Sequence, residues 1–209
     1  DQEGSLSGGS ERIWVTVDYD EAPRGEDVRG HIDIAGGEQR YRVAVSVFNQ
    51  MLHPPSSAFV ETNGVISIPA SKYTQQQVGR TASWRRVTGL GRSGSAMLLE
   101  PMDGWYVQEL SQVRRKSPAL EYEMVVTEGG TAEVIVEAVP SFPLETSRQL
   151  RCAVSINDQP PQWIAFEMGE EGGDPWHDNV LESRMIGTGQ LDLEPGTYNL
   201  KVWGTDPSV

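Results

Sequence analysis

The chain has 209 residues and a formal net charge of −13 at pH 7. This charge argues against nucleic-acid and anionic-membrane partners, because both require a basic protein face. No run of roughly 18 apolar residues occurs, so the sequence predicts no membrane-spanning helix. The single cysteine excludes an intrachain disulfide.

Strand patterns dominate from the start of the chain. Residues 12–19, 27–34 and 39–48 alternate in polarity and are rich in β-branched and aromatic side chains. Pro and Gly in the two connections favour turns. Three strands hardly close a sandwich alone. The stretch 50–57 contains two prolines and two serines and marks a boundary, so we expect one domain over residues 1–55 and another over 56–209.

Short strands also recur through the second part of the chain, with Gly- and Pro-containing turns between them. Such a series predicts an all-β fold, a β-sandwich or jelly roll. Residues 71–78 favour a short helix, and no long amphipathic helix is predicted. The predicted strands are 65–69, 84–88, 96–99, 119–126, 131–138, 151–156, 162–166, 180–187, 189–193 and 196–203.

The glycines Gly89, Gly91 and Gly94 form a literal G-x-G-x-x-G, the pattern of a dinucleotide-binding turn. That chemistry needs a helix after the last glycine to hold the phosphate charge. Pro101 and Gly104 would stop any such helix within about two turns, and no strand–helix–strand alternation exists. We therefore expect a tight glycine loop between two strands and no nucleotide site.

A series of motifs in the second part is similar to one known family. Trp84 precedes a Gly-Leu-Gly-Arg-Ser-Gly-Ser-Ala block at 89–96, and Pro-Gly-Thr-Tyr-Asn-Leu-Lys-Val-Trp occupies 195–203. These residues resemble the C-terminal domain of glycoside hydrolase family 115 proteins, which are xylan α-1,2-glucuronidases. The resemblance covers residues 59–207 in order. Further matching residues are 59–70, 118–122, 139–144, 153–160, Trp176, Val180, Asp206 and Pro207.

The resemblance implies a galactose-binding-like jelly roll, similar to a carbohydrate-binding module. Residues 10–49 resemble the late strands of the immunoglobulin-like domain that precedes this jelly roll in the family. We therefore expect a partial immunoglobulin-like sandwich of three strands before it. The resemblance also implies that the earlier strands of that sandwich, a last apolar strand after Asp206 and Pro207, and the catalytic α/β barrel lie outside these residues. They would belong to the same protein or to a separate chain.

The function that the resemblance implies is that of a non-catalytic accessory region. The parent enzyme would remove glucuronic acid or its 4-O-methyl form from glucuronoxylan, in an extracellular or periplasmic location. This chain would support the catalytic barrel, form a homodimer or help to hold the xylan. Two alternatives stay open: a stand-alone carbohydrate-binding module of another polysaccharide-active enzyme, and a structural interaction domain.

The residues themselves give little support for covalent chemistry. Asp18, Asp20 and Glu21 form the densest acidic cluster, and such a cluster is typical of a solvated turn. No G-x-S-x-G nucleophile motif occurs. Cys152 alternates with apolar residues in a strand pattern, which indicates a buried thiol rather than a nucleophile. We expect no catalytic residue in this chain.

Metal binding is not expected either. In modules that resemble this one, a glutamate that binds a structural calcium follows the alanine of the first strand, but here Ser71 follows Ala70. Calcium needs about six to eight oxygen ligands, and no Asp-rich loop supplies them. Paired His or Cys spacing for zinc is absent. A structural calcium is therefore disfavoured without being excluded, and no cofactor is expected.

Sugar rings stack on aromatic side chains, so rings in loops are the candidate contacts. Trp105 and Tyr106 lie in a loop with no apolar period, which suits either a sugar platform or a domain interface. Trp176 and His177 lie in an acidic stretch, 174–178, that is predicted as a Gly- and Pro-rich loop. Trp84 lies in a strand pattern, which favours the core. The carbohydrate-contact candidates are Trp105, Tyr106, Trp84, Trp176, His177 and Arg92.

Overall fold

The structure, a computed structural model, describes residues 15–19, 21–23, 27–36, 39–49, 57–103, 105–145, 148–167 and 173–209. The chain divides into two compact units, Asp1–His53 and Pro54–Val209. This division falls close to the predicted boundary. The predicted linker, apart from Ser57, lies outside the described residues.

An antiparallel pair of long strands makes up most of the described part of the first unit. Strands β1 (Asp27–Gly36) and β2 (Gln39–Phe48) pair along their whole length. Residues that face each other across an antiparallel ladder share one side of it. One side is therefore apolar, and its exposed members are Val28, Ile34, Tyr41 and Val43.

The structure describes residues 15–19 of the strand that was predicted at 12–19, and these residues do not form a strand. Residues 12–14, with Trp14, lie outside the described residues. The nearby turn is held instead by Asn49, whose side-chain amide donates to the carbonyl oxygens of Tyr19 and Ala22 at 2.7 Å each. The immunoglobulin-like character of this unit stays a prediction.

The regular structure of the second unit, within the described residues, is mostly short strands, as predicted. They are β3 (Phe59–Val60), β4 (Gln75–Gln77), β5 (Ser83–Thr88), β6 (Ser95–Glu100), β7 (Ala119–Val126), β8 (Gly130–Ala138), β9 (Arg151–Ile156), β10 (Gln162–Ala165), β11 (Met185–Leu193) and β12 (Gly196–Trp203). In the described part of this unit three short helices lie between the strands: a 3₁₀ helix at Ala70–Lys72, α1 (Leu110–Lys116) and α2 (Asp174–Glu182).

These strands form a sandwich of two layers. The main sheet has the order β10-β9-β12-β7-β3, with β4 also paired to β7, and β3 is its parallel member. The facing layer is built from two antiparallel pairs, β8–β11 and β5–β6. The turns before β8 and before β12 therefore cross between layers. The all-β sandwich that the sequence predicts is confirmed.

The core lies between the two layers. In β9, Cys152, Val154 and Ile156 are almost fully buried and share the inner face, as their alternation predicts. They pack against the inner faces of β8, β11 and β12 and against β10. The main cluster of buried residues is Leu150, Cys152, Val154, Ile164, Phe166 and Met185.

The outer face of the main sheet is also covered, near the ends of β7, β9 and β12. Val113 of α1 packs there against Ala119, Ala153 and Trp203. The indole N–H of Trp203 donates to Ser155 Oγ at 2.9 Å. Strand β7 is therefore buried on both faces, and its residues do not show the alternation of a half-exposed strand.

Several predicted elements of the second unit differ in the structure. Residues 65–69 were predicted as a strand, but only Val65 takes part in an isolated bridge, with Thr62. The strands predicted at 180–187 and 189–193 are one strand, β11. Residues 71–78 form a 3₁₀ turn and then strand β4 instead of one helix. Residues 180–182 belong to α2, and the strand predicted from residue 180 begins only at Met185. Pro175 suits the first turn of α2, and Ser183 ends it with a φ of 54°. No described helix is long and apolar enough to cross a membrane.

Candidate functional site

The glycine-rich loop joins the antiparallel strands β5 and β6. The N–H of Gly89 donates to the carbonyl oxygen of Gly94 at 2.9 Å. Gly89, Gly91 and Gly94 have φ values of 78°, 73° and 81°, a region that side-chain-bearing residues rarely adopt. The glycines therefore serve a tight strand-to-strand turn, and strand β6 rather than a helix follows them. This part of the prediction is confirmed.

Arg92 is exposed at the tip of this loop. A Cβ atom on the neighbouring Gly91 would lie 4.0 Å from Cγ2 of Val139, the residue that follows β8. The tip thus lies beside the segment that leaves β8. Arg92 makes no hydrogen bond or ion pair with the residues that the structure describes, and its role as a sugar contact stays a prediction.

Trp84 lies in the core rather than on the surface. Its side chain is only 8% exposed and packs with Leu99, Leu120 and Tyr122. Its indole N–H is buried without a hydrogen-bond partner. A ring enclosed in this way packs against other side chains, so the selection of Trp84 as a sugar contact is corrected to a core role.

Trp105 is half-buried and packs against the same cluster. Its indole N–H donates to the carbonyl oxygen of Pro101 at 2.7 Å. The hydrogen-bonding group of this ring is thus already used within its own loop. The sequence predicted that Trp105 lies either on a sugar-binding surface or at a domain interface. In the structure Trp105 also packs at the edge of the core.

Tyr106 keeps 38% of its surface exposed, beside a guanidinium group. The Cζ atom of Arg148 lies 3.6 Å above the centre of its ring. The same guanidinium forms an ion pair with Glu145. Sequence analysis missed Arg148, because nothing local in the sequence indicates that it lies next to a tyrosine in a distant loop.

Arg151 fixes the loop that carries these rings. Its guanidinium lies 3.8 Å above the ring of Trp163 and donates to the carbonyl oxygen of Gln108 at 2.7 Å. The N–H of Val107 in turn donates to the carbonyl oxygen of Thr205 at 2.9 Å. These contacts attach the loop after β6 to the sheet. They fix the conformation of the loop without a bound ligand.

Trp176 and His177 lie in the first turn of α2, so the acidic stretch predicted as a loop is corrected to a helix start. Trp176 packs partly against the main core cluster. Its ring lies 6.5 Å from that of Phe142, at an interplanar angle of 22°, and 5.2 Å from the ring of His177. His177 is exposed. Phe142 was not among the sequence candidates.

Exposed apolar side chains lie near this aromatic pair along α2 and along the chain after Phe142. Val180 lies one helical turn after Trp176, and Leu181 lies one turn after His177. Leu144 follows Phe142 by two residues. We call these residues the α2 patch: Trp176, half-buried, with Phe142 (44% exposed), Leu144 (51%), Val180 (45%) and Leu181 (82%).

Acidic residues border the α2 patch. Asp174, Asp178 and Glu182 project from α2 itself, and Glu145 follows Leu144. Arg184 lies beside them but bonds to Glu137 at 2.6 Å and to Glu182 at 2.9 Å. These two hydrogen bonds, Glu137 first, raise the pKa of Arg184. Glu182 is thus paired with Arg184, and Glu145 is paired with Arg148, so the unpaired negative charge that borders the patch in the described residues comes from Asp174 and Asp178.

Cys152 is buried, and burial raises the pKa of its thiol to about 12. Within the described residues no group of three or more His, Cys, Asp or Glu side chains could hold a metal ion. A shallow groove of about 350 Å³ in the second unit is lined by Leu110, Ser111, Arg114, Pro160 and Pro161. The expectations about calcium and cofactors stay predictions.

Comparisons with known proteins agree with the order of motifs. The family model described as "Glycosyl hydrolase family 115 C-terminal domain" matches residues 58–209. No curated protein matches the chain. Among solved structures, the chain is similar to BtGH115A, described as a family GH115 4-O-methyl-alpha-glucuronidase with specificity for decorated arabinogalactans.

The similarity to BtGH115A has 20% sequence identity and a TM-score of 0.45, over 65% of this chain. The match spans 16% of the length of the BtGH115A chain. The family model, by contrast, matches well over half of the residues, including both layers of the sandwich and the α2 patch. The chain therefore belongs to the glycosyl hydrolase family 115 C-terminal domain family.

Proposed function

We propose that this chain is a non-catalytic accessory region of a family 115 glycoside hydrolase and that it packs against the rest of that enzyme. The observation that carries the proposal is the contrast between enclosed rings and exposed aliphatic side chains. Trp84 lies in the core and Trp105 packs at its edge, whereas Phe142, Leu144 and Leu181 face solvent. Exposed apolar groups collected in one place are typical of protein interfaces.

A glycan-binding surface would be expected to look different. Sugars stack on open ring faces and also need polar groups arranged to bond their hydroxyls. Here the Trp105 indole N–H is taken by Pro101, and Arg148 occupies one face of the Tyr106 ring. The rings are thus largely engaged within the domain. This favours a supporting role over a stand-alone carbohydrate-binding module.

The first unit supports the same proposal independently. A two-stranded hairpin is at best marginally stable in water, yet β1 and β2 expose an apolar side with Ile34, Tyr41 and Val43. We propose that further strands of the same enzyme cover this side and complete an immunoglobulin-like sandwich. The parent enzyme would act on glucuronoxylan and release glucuronic acid or its 4-O-methyl form, outside the cell or in the periplasm.

Affinity electrophoresis tests the supporting role against the carbohydrate-binding role. Gels contain glucuronoxylan, unsubstituted xylan or a decorated arabinogalactan, and we expect the chain to run unretarded in all three. Retardation that Tyr106→Ala abolishes and Leu181→Ala leaves unchanged would favour glycan binding instead.

An activity assay tests the non-catalytic assignment. The purified chain is incubated with glucuronoxylan, and released glucuronic acid is measured. We expect no release. Release that persists after further purification would overturn the assignment. A heat-denatured sample of the same chain is the control for contaminating sugars.

A further inference from the structure

We propose that the α2 patch is a docking surface whose occupant is a protein surface with an apolar centre and a basic rim, carried by the same family 115 enzyme. This inference rests on the proposed function and specifies where the chain docks and what it docks on. The centre of the patch is the Trp176–Phe142 pair, and Val180, Leu181 and Leu144 extend it.

The patch has the composition of an interface centre. Aromatic side chains dominate the binding energy of interfaces when they lie centrally and are surrounded by residues that exclude water. Phe142 and Trp176 supply the two rings. Leu181 is 82% exposed, so burial against a partner would remove most of its side chain from water.

The surface is also held in place before docking. Trp176 packs against the core, and the side chain of Asn179 donates to the carbonyl oxygen of Glu167 at 3.1 Å. On the other side of the patch, Ser208 Oγ accepts from the N–H of Leu144 at 3.3 Å. A preformed surface loses little conformational entropy when a partner binds.

The negative charges around the α2 patch indicate which charge the partner surface should carry. Asp174, Asp178 and Glu182 border it on α2. Arg184 is paired with Glu137 and with Glu182, so it leaves Asp174 and Asp178 as the unpaired acids of this border. A rim of this sign complements a basic rim on the partner.

A second copy of the chain fits poorly. In a two-fold symmetric dimer the same patch would meet itself, so the acidic borders of both copies would face each other. The net charge of −13 adds to this repulsion.

Hydroxyl-radical footprinting tests the proposal. The 209-residue chain is compared with the longer family 115 polypeptide that carries it. We expect labelling of Leu181 and Phe142 to fall by roughly tenfold in the longer polypeptide, because an interface core excludes water. Val78, which is 67% exposed and lies outside the patch, should be labelled equally in both. Equal labelling of Leu181 in the two proteins would overturn the docking surface.

A charge variant tests the chemistry of the partner. Asp178→Lys in the longer polypeptide should restore much of the Leu181 labelling, because it places a cation against the basic rim. Asp158→Lys, in the turn at the far end of β9, is the matched control and should change nothing. If Asp178→Lys leaves Leu181 protected, the partner rim is not basic.

Two further measurements distinguish docking within the longer polypeptide from dimer formation and from glycan binding. Light scattering of the 209-residue chain should give a monomer, and a dimer with Leu181 protected would identify a second copy as the occupant. Glycan retardation in the gels, together with full protection of Leu181, would contradict the purely supporting role but leave the docking surface standing.

Discussion

The guanidinium of Arg148 lies 3.6 Å above the ring of Tyr106, but its Nε and Nη1 atoms are buried without a hydrogen-bond partner. Arg151, three residues later, also stacks on a ring, that of Trp163, yet donates to the carbonyl oxygen of Gln108. Both arginines contact the same loop. Arg151 hydrogen-bonds to the backbone of that loop, whereas Arg148 leaves two buried N–H groups without partners. Buried donors without partners are destabilising, so the two side chains should differ in what they contribute.

Substitution by methionine separates the two arginines, because methionine keeps a long apolar side chain. Arg151→Met loses charged hydrogen bonds and should lower the free energy of unfolding by about 1.5–3 kcal/mol. Arg148→Met also removes two unpartnered donors, so its cost should stay below about 1 kcal/mol. Urea unfolding monitored by fluorescence measures both. A larger loss for Arg148→Met than for Arg151→Met would contradict this account.

The glycine loop gives a prediction about backbone strain alone. Gly89 has a φ of 78°, and no heavy atom lies within 4 Å of an added Cβ. Gly89→Ala should therefore destabilise the chain by about 1–2 kcal/mol without any clash. Gly89→Asn should cost less, since asparagine tolerates left-handed backbone. Thermal unfolding of both variants checks the order, and equal losses would show that strain is not the cause.

The elements that the sequence predicted well are those whose side chains alternate over several residues. Strand β9 is an example, because Cys152, Val154 and Ile156 bury one face whatever covers the other. The glycine loop was also predictable, because left-handed backbone demands glycine locally. Helix α2 was missed for the opposite reason. Val180 and Leu181 favour strands or buried positions, but here they belong to a short helix whose partly buried ring is Trp176.

The candidate site was less predictable than the fold. Whether a tryptophan lies in the core depends on residues far away in sequence. Gly204 illustrates this, since a Cβ there would come within 2.9 Å of Trp84 Cζ2, so the glycine makes the space in which that ring packs. The stacking of Arg148 on Tyr106 likewise joins two loops that only the folded sandwich brings together.

Alkaline pH should unfold the second unit through two buried groups. Burial raises the pKa of the Cys152 thiol from 9.0 to about 12 and, with a smaller effect of Tyr73, raises that of the Tyr122 phenol above its usual 10.0. Both groups are neutral when protonated, so the folded state retains these protons more tightly than the unfolded chain. Their stabilising effect is complete below the unfolded pKa values and is lost as pH rises toward the folded ones.

Above its unfolded pKa, 9.0 for the thiol and 10.0 for the phenol, each group should lower the free energy of unfolding by up to about 1.4 kcal/mol per pH unit. Urea unfolding over this range measures the slope. Cys152→Ala should flatten it just above pH 9, and Tyr122→Phe should flatten it only above pH 10. An unchanged slope in Cys152→Ala would mean that the thiol does not contribute. At pH 8 the thiol of the folded chain should resist aromatic disulfide reagents until denaturant is added.

The two buried tryptophans should respond differently to phenylalanine. Trp203 donates its indole N–H to Ser155 Oγ at 2.9 Å, and Ser155 is almost fully buried. Trp203→Phe therefore leaves a polar atom without its donor and opens a small cavity, which should cost about 2–3 kcal/mol. The Trp84 indole N–H has no partner, so Trp84→Phe removes an unfavourable buried donor while it loses packing, and its cost should be about 1–2 kcal/mol smaller.

A double-mutant cycle with Ser155→Ala isolates the hydrogen bond of Trp203. The coupling energy should be about 1 kcal/mol, the usual size for a neutral pair. The same cycle with Trp84 should give no coupling, because the two side chains belong to different core clusters. Urea unfolding of the single and double variants supplies all the values. Coupling between Trp84 and Ser155 as strong as that between Trp203 and Ser155 would indicate that the substitutions perturb the whole sandwich rather than one bond.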